Sequence, residues 1–377
     1  MRTRAWLDPC YALRDRLLAS ARFQRWAAAF PLTRPIARRR ARALFDLCAG
    51  FVYSQVLLAC VQLRVFEALA EGPQTVAALS MRLSLGIEAT ARLLHAAASL
   101  RLVARRGQDR YGLGPLGAAL LGNPAVAAMV QHHRLLYADL ADPVALLRGE
   151  RRETALGAYW PYAGAQHPET LGADQVAAYS ALMAASQALI AGEILDAYDL
   201  RRHRCLLDVG GGDGSFLIAA AARAPALRLM LFDLPPVAER ARTRFAAAGL
   251  DRARAIGGSF LAGDLPQGAD VVSLIRVLHD HDDATALAIL CATRRALPAG
   301  GTLLLAEPMA QTPGAEPVGD AYFGFYLLAM GRGRVRTPAE IRELLREAGF
   351  GPARPLATRT PMLARVMLAR RAAVNHC

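Results

Sequence analysis

Residues 204–216 read RCLLDVGGGDGSF, an apolar run that ends in four glycines within five positions. Glycine tolerates positive φ and lets a backbone pass close to a ligand. A short apolar run stopped by such a cluster is a buried strand that turns tightly into a helix. The strand pattern recurs downstream in LRLMLFDLP (227–235), ADVVSLIRVLHD (269–280), GTLLLAEPM (301–309) and MLARVMLARR (362–371). Helical stretches lie between them, at 284–297 and in TPAEIRELLREAGF (337–350), where Thr337 is the N-cap. Strands alternating with helices fold as an open, parallel α/β sheet.

Such sheets bind ligands outside the C-terminal ends of their strands. Gly210, Gly211, Gly212 and Gly214 stand at one of these ends. A phosphate-binding loop would need Gly-Lys-Ser/Thr, which is absent. A dinucleotide fold wants G-x-G-x-x-G, and counting from Gly210 and Gly212 the third position is Ser215. What stands here is D-x-G-x-G-x-G, opened by Asp208, and Asp233 closes the second strand 25 positions later. A carboxylate there can accept hydrogen bonds from both hydroxyls of a ribose. Without the glycine turn, Asp233 reads as an exposed turn residue ahead of Pro235 and Pro236.

The first 200 residues have a different texture. Hydrophobic residues make up 54% and charged residues 20% of the chain, which excludes a disordered protein. Residues 1–42 form a basic arm with eleven Arg against Asp8 and Asp15, so +9 of the formal net charge of +13 sits there. The chain has no Lys. Charge gathered at one end is not the basic stripe of a nucleic-acid binder. Trp6, Phe23, Trp26 and Phe30 interleave with the arginines, the last three on one helical face. That composition suits a helix lying on an anionic membrane; packing of the arm on a partner subunit is the other reading. No apolar run is expected to approach the roughly 18–20 residues of a membrane span. With no signal-peptide pattern either, a cytoplasmic protein is expected, peripheral at the membrane if the arm docks there. Cys10, Cys48, Cys60, Cys205, Cys291 and Cys377 stand too far apart for a zinc site or a disulfide framework.

Residues 43–122 read as a winged-helix pattern. ALFDLCAGFVYSQVLLACVQL is apolar enough to be buried or to form a dimer contact, RVFEALAEGP is a short helix stopped by Gly72-Pro73, and two more helices precede LVARRGQDRYGL, which alternates like a hairpin around Gly107. Winged helices often read DNA. Helix 87–101, however, offers only Arg92 and Arg101 where phosphate binding wants several cations on one face. Packing or dimerisation is the expected role, with no nucleic acid. Residues 123–200 read as a helical connector around the loop YWPYAGAQHPE (159–169). His132 and His133 read there as polar helix residues, and Trp160 and Tyr162 as core.

As a set, LLDVGGGDGSF, LMLFDLPPV, GGSF, RVLHDHDD and LLAEPM resemble, in order and spacing, the consecutive motifs of the plant-type O-methyltransferases, over roughly residues 44–370. The resemblance implies use of S-adenosylmethionine (SAM), with S-adenosylhomocysteine (SAH) as product. It implies a Rossmann-like class I methyltransferase domain with a seven-stranded, mostly parallel sheet over residues 201–377. Ahead of it would lie an all-α winged-helix-like dimerisation domain and a connector lining the substrate pocket, with a homodimer as the assembly. FPLTRPIARRRARALFDLCAGFVYSQVLLACVQL and HHRLLYADLADPVALLRGE are similar to carotenoid-modifying members of the family, which methylate the tertiary hydroxyl of a hydroxylated acyclic carotenoid of the hydroxyneurosporene type. An aromatic, polyketide or pigment-ring hydroxyl is the alternative within the family. A SAM-binding regulator without catalysis and a winged-helix DNA-binding regulator are the alternatives outside it.

The resemblance makes His279 the general base on the substrate hydroxyl, followed by Asp280 and oriented by Glu307. It puts Asp208, Gly210, Gly212, Gly214, Asp233, Ser259, Phe260 and Arg276 around SAM, Met183 beside the reactive methyl, and Tyr322, Phe323 and Tyr326 on the substrate wall. The chemistry is sound, because a carboxylate on one imidazole nitrogen fixes the tautomer and leaves the other for the substrate. His281, Asp282 and Asp283 are expected to open the next helix in solvent, where Asp is favourable. Nothing in the pattern converges as metal ligands would, so no metal is expected. Two positions depart from the family. Val335 stands where a second Glu often lies beside the base, and Ser259 where an Asp lies near the adenine.

Overall fold

The computed structural model describes residues 7–151, 153–164, 172–260 and 265–372, in two compact units, 1–122 and 123–377. Trp6, residues 165–169 of the aromatic loop and Cys377 lie outside the described residues.

The first unit comprises α1 (Asp8–Ala19), α2 (Ala21–Ala29), α3 (Arg34–Gln62), α4 (Val65–Ala68), β1 (Gln74–Thr75), α5 (Val76–Leu83), α6 (Ile87–Ser99), β2 (Val103–Arg105), β3 (Arg110–Leu113) and α7 (Pro115–Leu121). The winged-helix pattern forms as expected, except that the unit is not all-α: β1 joins the β2–β3 hairpin in a sheet of order β1-β3-β2. Thr75 caps α5, its hydroxyl accepting from Ala78 N at 3.2 Å. The aromatic face of the arm also forms, with ring centroids of Phe23 and Trp26 5.7 Å apart and of Trp26 and Phe30 5.3 Å apart.

α3 bears on two expectations. It runs unbroken through residues 42 and 43, so the basic arm and the dimerisation region share a helix with no joint at that boundary. It is also long and apolar enough to cross a membrane, with a window of mean hydropathy 1.8 of which only 17% is buried within the chain. Counting uninterrupted apolar residues misses such a helix, because Asp46, Ser54 and Gln55 break the run while the strongly apolar residues around them keep its average high. Ile36, Leu44, Phe45, Leu47, Phe51 and Val52 are its large exposed apolar residues.

The second unit holds α8 (Pro124–Asp139), α9 (Pro143–Leu147), α10 (Ala155–Tyr159), α11 (Pro161–Gly164), α12 (Ala173–Ala197), β4 (Cys205–Val209), α13 (Ser215–Arg223), β5 (Arg228–Asp233), α14 (Pro235–Ala247), β6 (Ala253–Gly257), β7 (Val271–Ile275), α15 (Asp283–Ala296), β8 (Thr302–Glu307), α16 (Gly324–Met330), α17 (Pro338–Glu347), β9 (Arg354–Leu356) and β10 (Arg365–Arg370). Seven strands pair in the order β6-β5-β4-β7-β8-β10-β9, and only β10 runs against the direction of the other six. The side-chain period of two decides the layers. Leu206 of β4 faces a core shared with α12, α13 and α14, while Leu207 and Val209 face one shared with α15 and α17. Helices thus cover both faces, and the connector packs into the same unit as the sheet through Ile190 and Ile194 of α12. Thr337 caps α17 in a reciprocal box with Glu340.

Candidate active site

The glycine turn leaves β4 with Gly210 at φ 69° and Gly212 at φ 61°. A Cβ on Gly210 would lie 2.7 Å from Val277, whereas one on Gly212 would meet nothing within 4 Å, because Gly212 faces an open cleft. Gly212 N donates to Asp233 Oδ2 at 2.8 Å and Leu234 N to Oδ1 at 2.7 Å. Each carboxylate oxygen keeps a further lone pair for a ligand. Burial pushes the Asp233 carboxyl up to about 6 despite these two amides. Gly210, Gly212, Asp233, Ser259, Phe260 and Arg276 line the cleft that opens over this turn.

Asp208 and Gly214 do not line it. Asp208 is 1% exposed beneath the turn, accepts from Ser273 Oγ at 2.6 Å and is pushed up to about 7 by burial. Gly214 sits at φ 84°, where a Cβ would strike the Phe245 ring at 2.4 Å. Both shape the turn from behind.

Beyond β7 the chain passes through Arg276, held at φ 58°, into a short 3₁₀ turn, Leu278–Asp280. Glu307, 1% exposed at the end of β8, governs this turn. Its Oε1 accepts from Val277 N at 2.9 Å and Leu278 N at 2.7 Å, and its Oε2 lies 2.7 Å from His279 Nδ1. With two amides already pointing at Glu307, the carboxylate is the acceptor and Nδ1 carries the hydrogen. The other nitrogen, Nε2, is 3.2 Å from Asp280 Oδ1, and Tyr162 Oη donates to Asp280 Oδ2 at 2.8 Å. Burial disfavours the imidazolium, but the charges of Asp280 and Glu307 outweigh it and hold the His279 pKa above the ordinary histidine value.

A second cavity of about 430 Å³ opens on His279 and Asp280, walled by Met129, Met183, Tyr322, Phe323, Tyr326 and Met330. It shares Trp160, Tyr162, Met183, Arg276 and Asp280 with the cofactor cleft. Met183, Tyr322, Phe323 and Tyr326 thus line one cavity together. Tyr322 and Phe323 belong to a π-helical segment, Pro317–Phe323, that runs into α16. His132 and His133 sit in α8, and both rings are held by tyrosines. His132 Nε2 lies 2.7 Å from Tyr326 Oη, which also accepts from Trp160 Nε1 at 2.8 Å, and His133 Nε2 lies 2.8 Å from Tyr322 Oη. Burial pushes His132 down to about 4.

His281 overturns an expectation too. Asp282 does cap α15, accepting from Thr285 N at 2.8 Å, but His281 is 7% exposed and lines the cofactor cleft. The segment around Val335 explains why. Gly333 crosses so tightly that a Cβ would lie 2.2 Å from His279 O, and Arg334 N donates to that oxygen at 2.9 Å. Arg336, 2% exposed, donates to Leu278 O at 2.6 Å, to His281 O at 2.7 Å and to Asp283 at 2.8 Å. The loop that bears the histidines is clamped from outside. Sequence reading missed Tyr162, His281 and Arg336. For Arg336 no local signal was available, since its carbonyl partners Leu278 and His281 lie more than fifty residues away.

Among the described residues no three His, Cys, Asp or Glu side chains form a group able to hold a metal ion. Comparison with known proteins agrees with the architecture. A family model for an O-methyltransferase domain matches residues 137–351, and one for an O-methyltransferase dimerisation domain matches 45–123. The demethylspheroidene O-methyltransferase of Cereibacter sphaeroides is 49% identical over 342 residues, 89% of this chain and 88% of that protein. Its counterpart in Rhodobacter capsulatus is 43% identical, over 94% of this chain and 88% of that protein. The crystal structure of human N-acetylserotonin methyltransferase in complex with SAM superposes with a TM-score of 0.73 at 25% identity, covering 89% of this chain and 98% of that one. The cleft at the glycine turn, the Asp at the end of β5 and the dimerisation unit all fit one conclusion: the chain belongs to the family of SAM-dependent O-methyltransferases.

Proposed function

We propose that this O-methyltransferase methylates the tertiary hydroxyl of a hydroxylated acyclic carotenoid. The observation that carries the reading is its 49% identity, over 89% of the chain, to a protein named for demethylspheroidene. The mostly apolar second cavity, opening on one polar cluster, supports it. SAM supplies a methyl group on a sulfonium, and transfer to the substrate oxygen yields ether, SAH and one proton. Asp233 holds the ribose through its free lone pairs, and Ser259, Phe260 and Arg276 border the rest of the cofactor. Met183, common to both cavities, stands where methyl and hydroxyl meet.

The proton goes to the His279–Asp280 pair. A tertiary alcohol is far too weak an acid to be ionised beforehand by an imidazole, so the proton leaves as the carbon–oxygen bond forms. Glu307 keeps the hydrogen of His279 on Nδ1, so only Nε2, on the Asp280 side, can accept. Alignment of oxygen, methyl carbon and sulfur carries much of the remaining acceleration. Incubating the protein with SAM and hydroxylated acyclic carotenoids, then searching by mass spectrometry for a gain of one methyl, tests the substrate. Methylation of ring hydroxyls only would replace this reading with the aromatic one.

The protein works as a homodimer through the dimerisation unit, which covers the exposed apolar face of α3. A long polyene resides in the bilayer, so we further propose that the basic arm docks on the anionic face of the membrane from the cytoplasm. Trp26 and Phe30, 53% and 40% exposed, are its apolar anchors. Trp26→Ser with Phe30→Ser, which lie outside α3, is expected to abolish co-sedimentation with anionic vesicles at low salt. Wild-type protein that fails to sediment, or a variant that sediments equally well, rules the docking out.

A further inference from the structure

His132 and His133 stand side by side on α8, and each ring reaches one tyrosine of the segment that walls the second cavity. Tyr322 and Tyr326 lie one turn apart, where the π segment runs into α16. Among the described residues that wall the cavity are both tyrosines and neither histidine. Each hydroxyl is thus bonded to a ring behind the wall. Tyr326 Oη accepts from Trp160 Nε1, which can only donate, so its own hydrogen goes to His132 Nε2 at 2.7 Å. Tyr322 has one good partner, His133 Nε2 at 2.8 Å; its contact at 3.8 Å, Met129 Sδ, is a weak acceptor. Burial pushes the His132 pKa down to about 4 and the His133 pKa below the ordinary histidine value. Both rings are then neutral near pH 7, and each Nε2 can take a phenol hydrogen.

Without these partners the two hydroxyls would turn to water in the cavity. A polyene entering the site displaces that water and offers no bond in return, so the cost falls on substrate binding. Phe323, whose ring lies 5.0 Å from Tyr322 and 5.9 Å from His279, has no hydroxyl and needs no such partner. We propose that His132 and His133 are positioning residues for specificity. By holding the hydroxyls of Tyr326 and Tyr322 on α8, they give the cavity a wall of carbon that admits an apolar chain bearing one hydroxyl. This rests on the methyl acceptor occupying the second cavity. The substrate's own hydroxyl then finds its polar partners at the His279–Asp280 end. Neither histidine touches the reacting atoms; each acts through its tyrosine. A phenol tied at its tip also has a fixed ring plane, which pre-organises the wall at no cost to the incoming chain.

The test uses full-length protein, SAM and a monohydroxylated acyclic carotenoid in detergent micelles, with thermal melts as a check on folding. His133→Leu is expected to lower kcat/KM for the carotenoid by about 5- to 150-fold, the range for one buried hydroxyl left unpaired. The loss is expected in KM for the carotenoid, with kcat and the KM for SAM unchanged. His133→Gln, whose amide overlies Nε2, is expected to stay within about threefold of wild type. His133→Asn, whose amide overlies Nδ1 and falls short of Tyr322, is expected to lose as much as Leu and replaces it if Leu does not fold. A double-mutant cycle separates positioning from packing. In a Tyr322→Phe background there is no hydroxyl to hold, so adding His133→Leu is expected to change kcat/KM by less than about twofold. The same cycle with His132→Leu and Tyr326→Phe tests the second pair, with the same expectation. An equal loss in both backgrounds reduces the histidines to packing and overturns the proposal. Undiminished kcat/KM in His133→Leu, or a Gln variant as weak as Leu, overturns it too. Failure of the wild-type protein to methylate the carotenoid strikes the substrate reading itself and is seen before any variant is compared.

Discussion

Replacing Glu307 by Gln removes one charge and almost no volume, and the structure says which way the amide will face. With the new amide nitrogen toward Val277 and Leu278, two buried backbone N–H groups would confront a donor, at about 1–3 kcal/mol for each bond lost. With the carbonyl oxygen kept there, the amide N–H₂ faces His279 Nδ1 instead, across the present 2.7 Å contact. The second arrangement wins, and it forces Nδ1 to become the acceptor. The ring hydrogen then moves to Nε2, where Asp280 Oδ1 at 3.2 Å accepts it. The imidazole is left folded, buried and in the wrong tautomer to take a proton. Loss of a general base is worth about 10²–10⁴-fold, or roughly 2.7–5.4 kcal/mol in the barrier. Single-turnover methyl transfer at saturating SAM should fall by that factor, with SAM affinity unchanged, because Glu307 does not line the cofactor cleft. A Glu307→Gln enzyme within about threefold of wild type would refute the reasoning and leave alignment alone to account for the rate.

Three further outcomes follow from the same geometry. Because carboxylates raise the His279 pKa, wild-type kcat/KM should climb with pH through a midpoint above the ordinary histidine value; Asp280→Asn removes one of those charges and should move the midpoint to lower pH, so an unmoved midpoint in the pH–rate profile contradicts the pairing. Asp233→Ala should weaken SAM binding by about 1.5–3 kcal/mol, roughly 10- to 150-fold by calorimetry, and wild-type affinity should fall as the pH drops below about 6, where the carboxylate gains its proton. Arg336→Met strands two buried carbonyls, Leu278 O and His281 O, at about 1–3 kcal/mol each; the melting temperature should drop by several degrees and kcat should fall with it, whereas an unchanged melt would mean that Gly333 and Arg334 hold the loop unaided.

Features that depend on neighbouring residues were legible in the sequence. The glycine turn, the carboxylate closing β5 and the caps of α15 and α17 are local chemistry, and β4 shows its burial as an apolar run broken only by Asp208. Three site residues were not legible, each for a different reason. His281 lies in HDHDD, where every position is titratable, so no pattern distinguishes a buried ring from a solvated one. Tyr162 sits in an aromatic-rich loop that looks like core, and only its hydroxyl, 2.8 Å from Asp280, separates the two roles. Arg336 satisfies itself on carbonyls far along the chain, and a contact order of that size leaves no trace in local spacing. At 42–43 the charge composition changes while α3 runs on, so composition there marks a change of surface and not the end of an element.

The π segment, Pro317–Phe323, gives the second cavity a property that a regular helix would lack. A π turn closes its hydrogen bonds over i→i+5 rather than i→i+4, so it stores one residue more than α-helix does in the same turn. Deleting a single residue between 317 and 321 would let the segment relax into the α register of α16. That would swing the residues ahead of the deletion by roughly a quarter turn relative to Tyr322, Phe323 and Tyr326, since successive residues of an α-helix are spaced 3.6 to the turn. The wall would be recut while the sheet, the cofactor cleft and the His279 loop stayed as they are. Insertion and deletion, not only substitution, can therefore redraw which alcohols this fold admits.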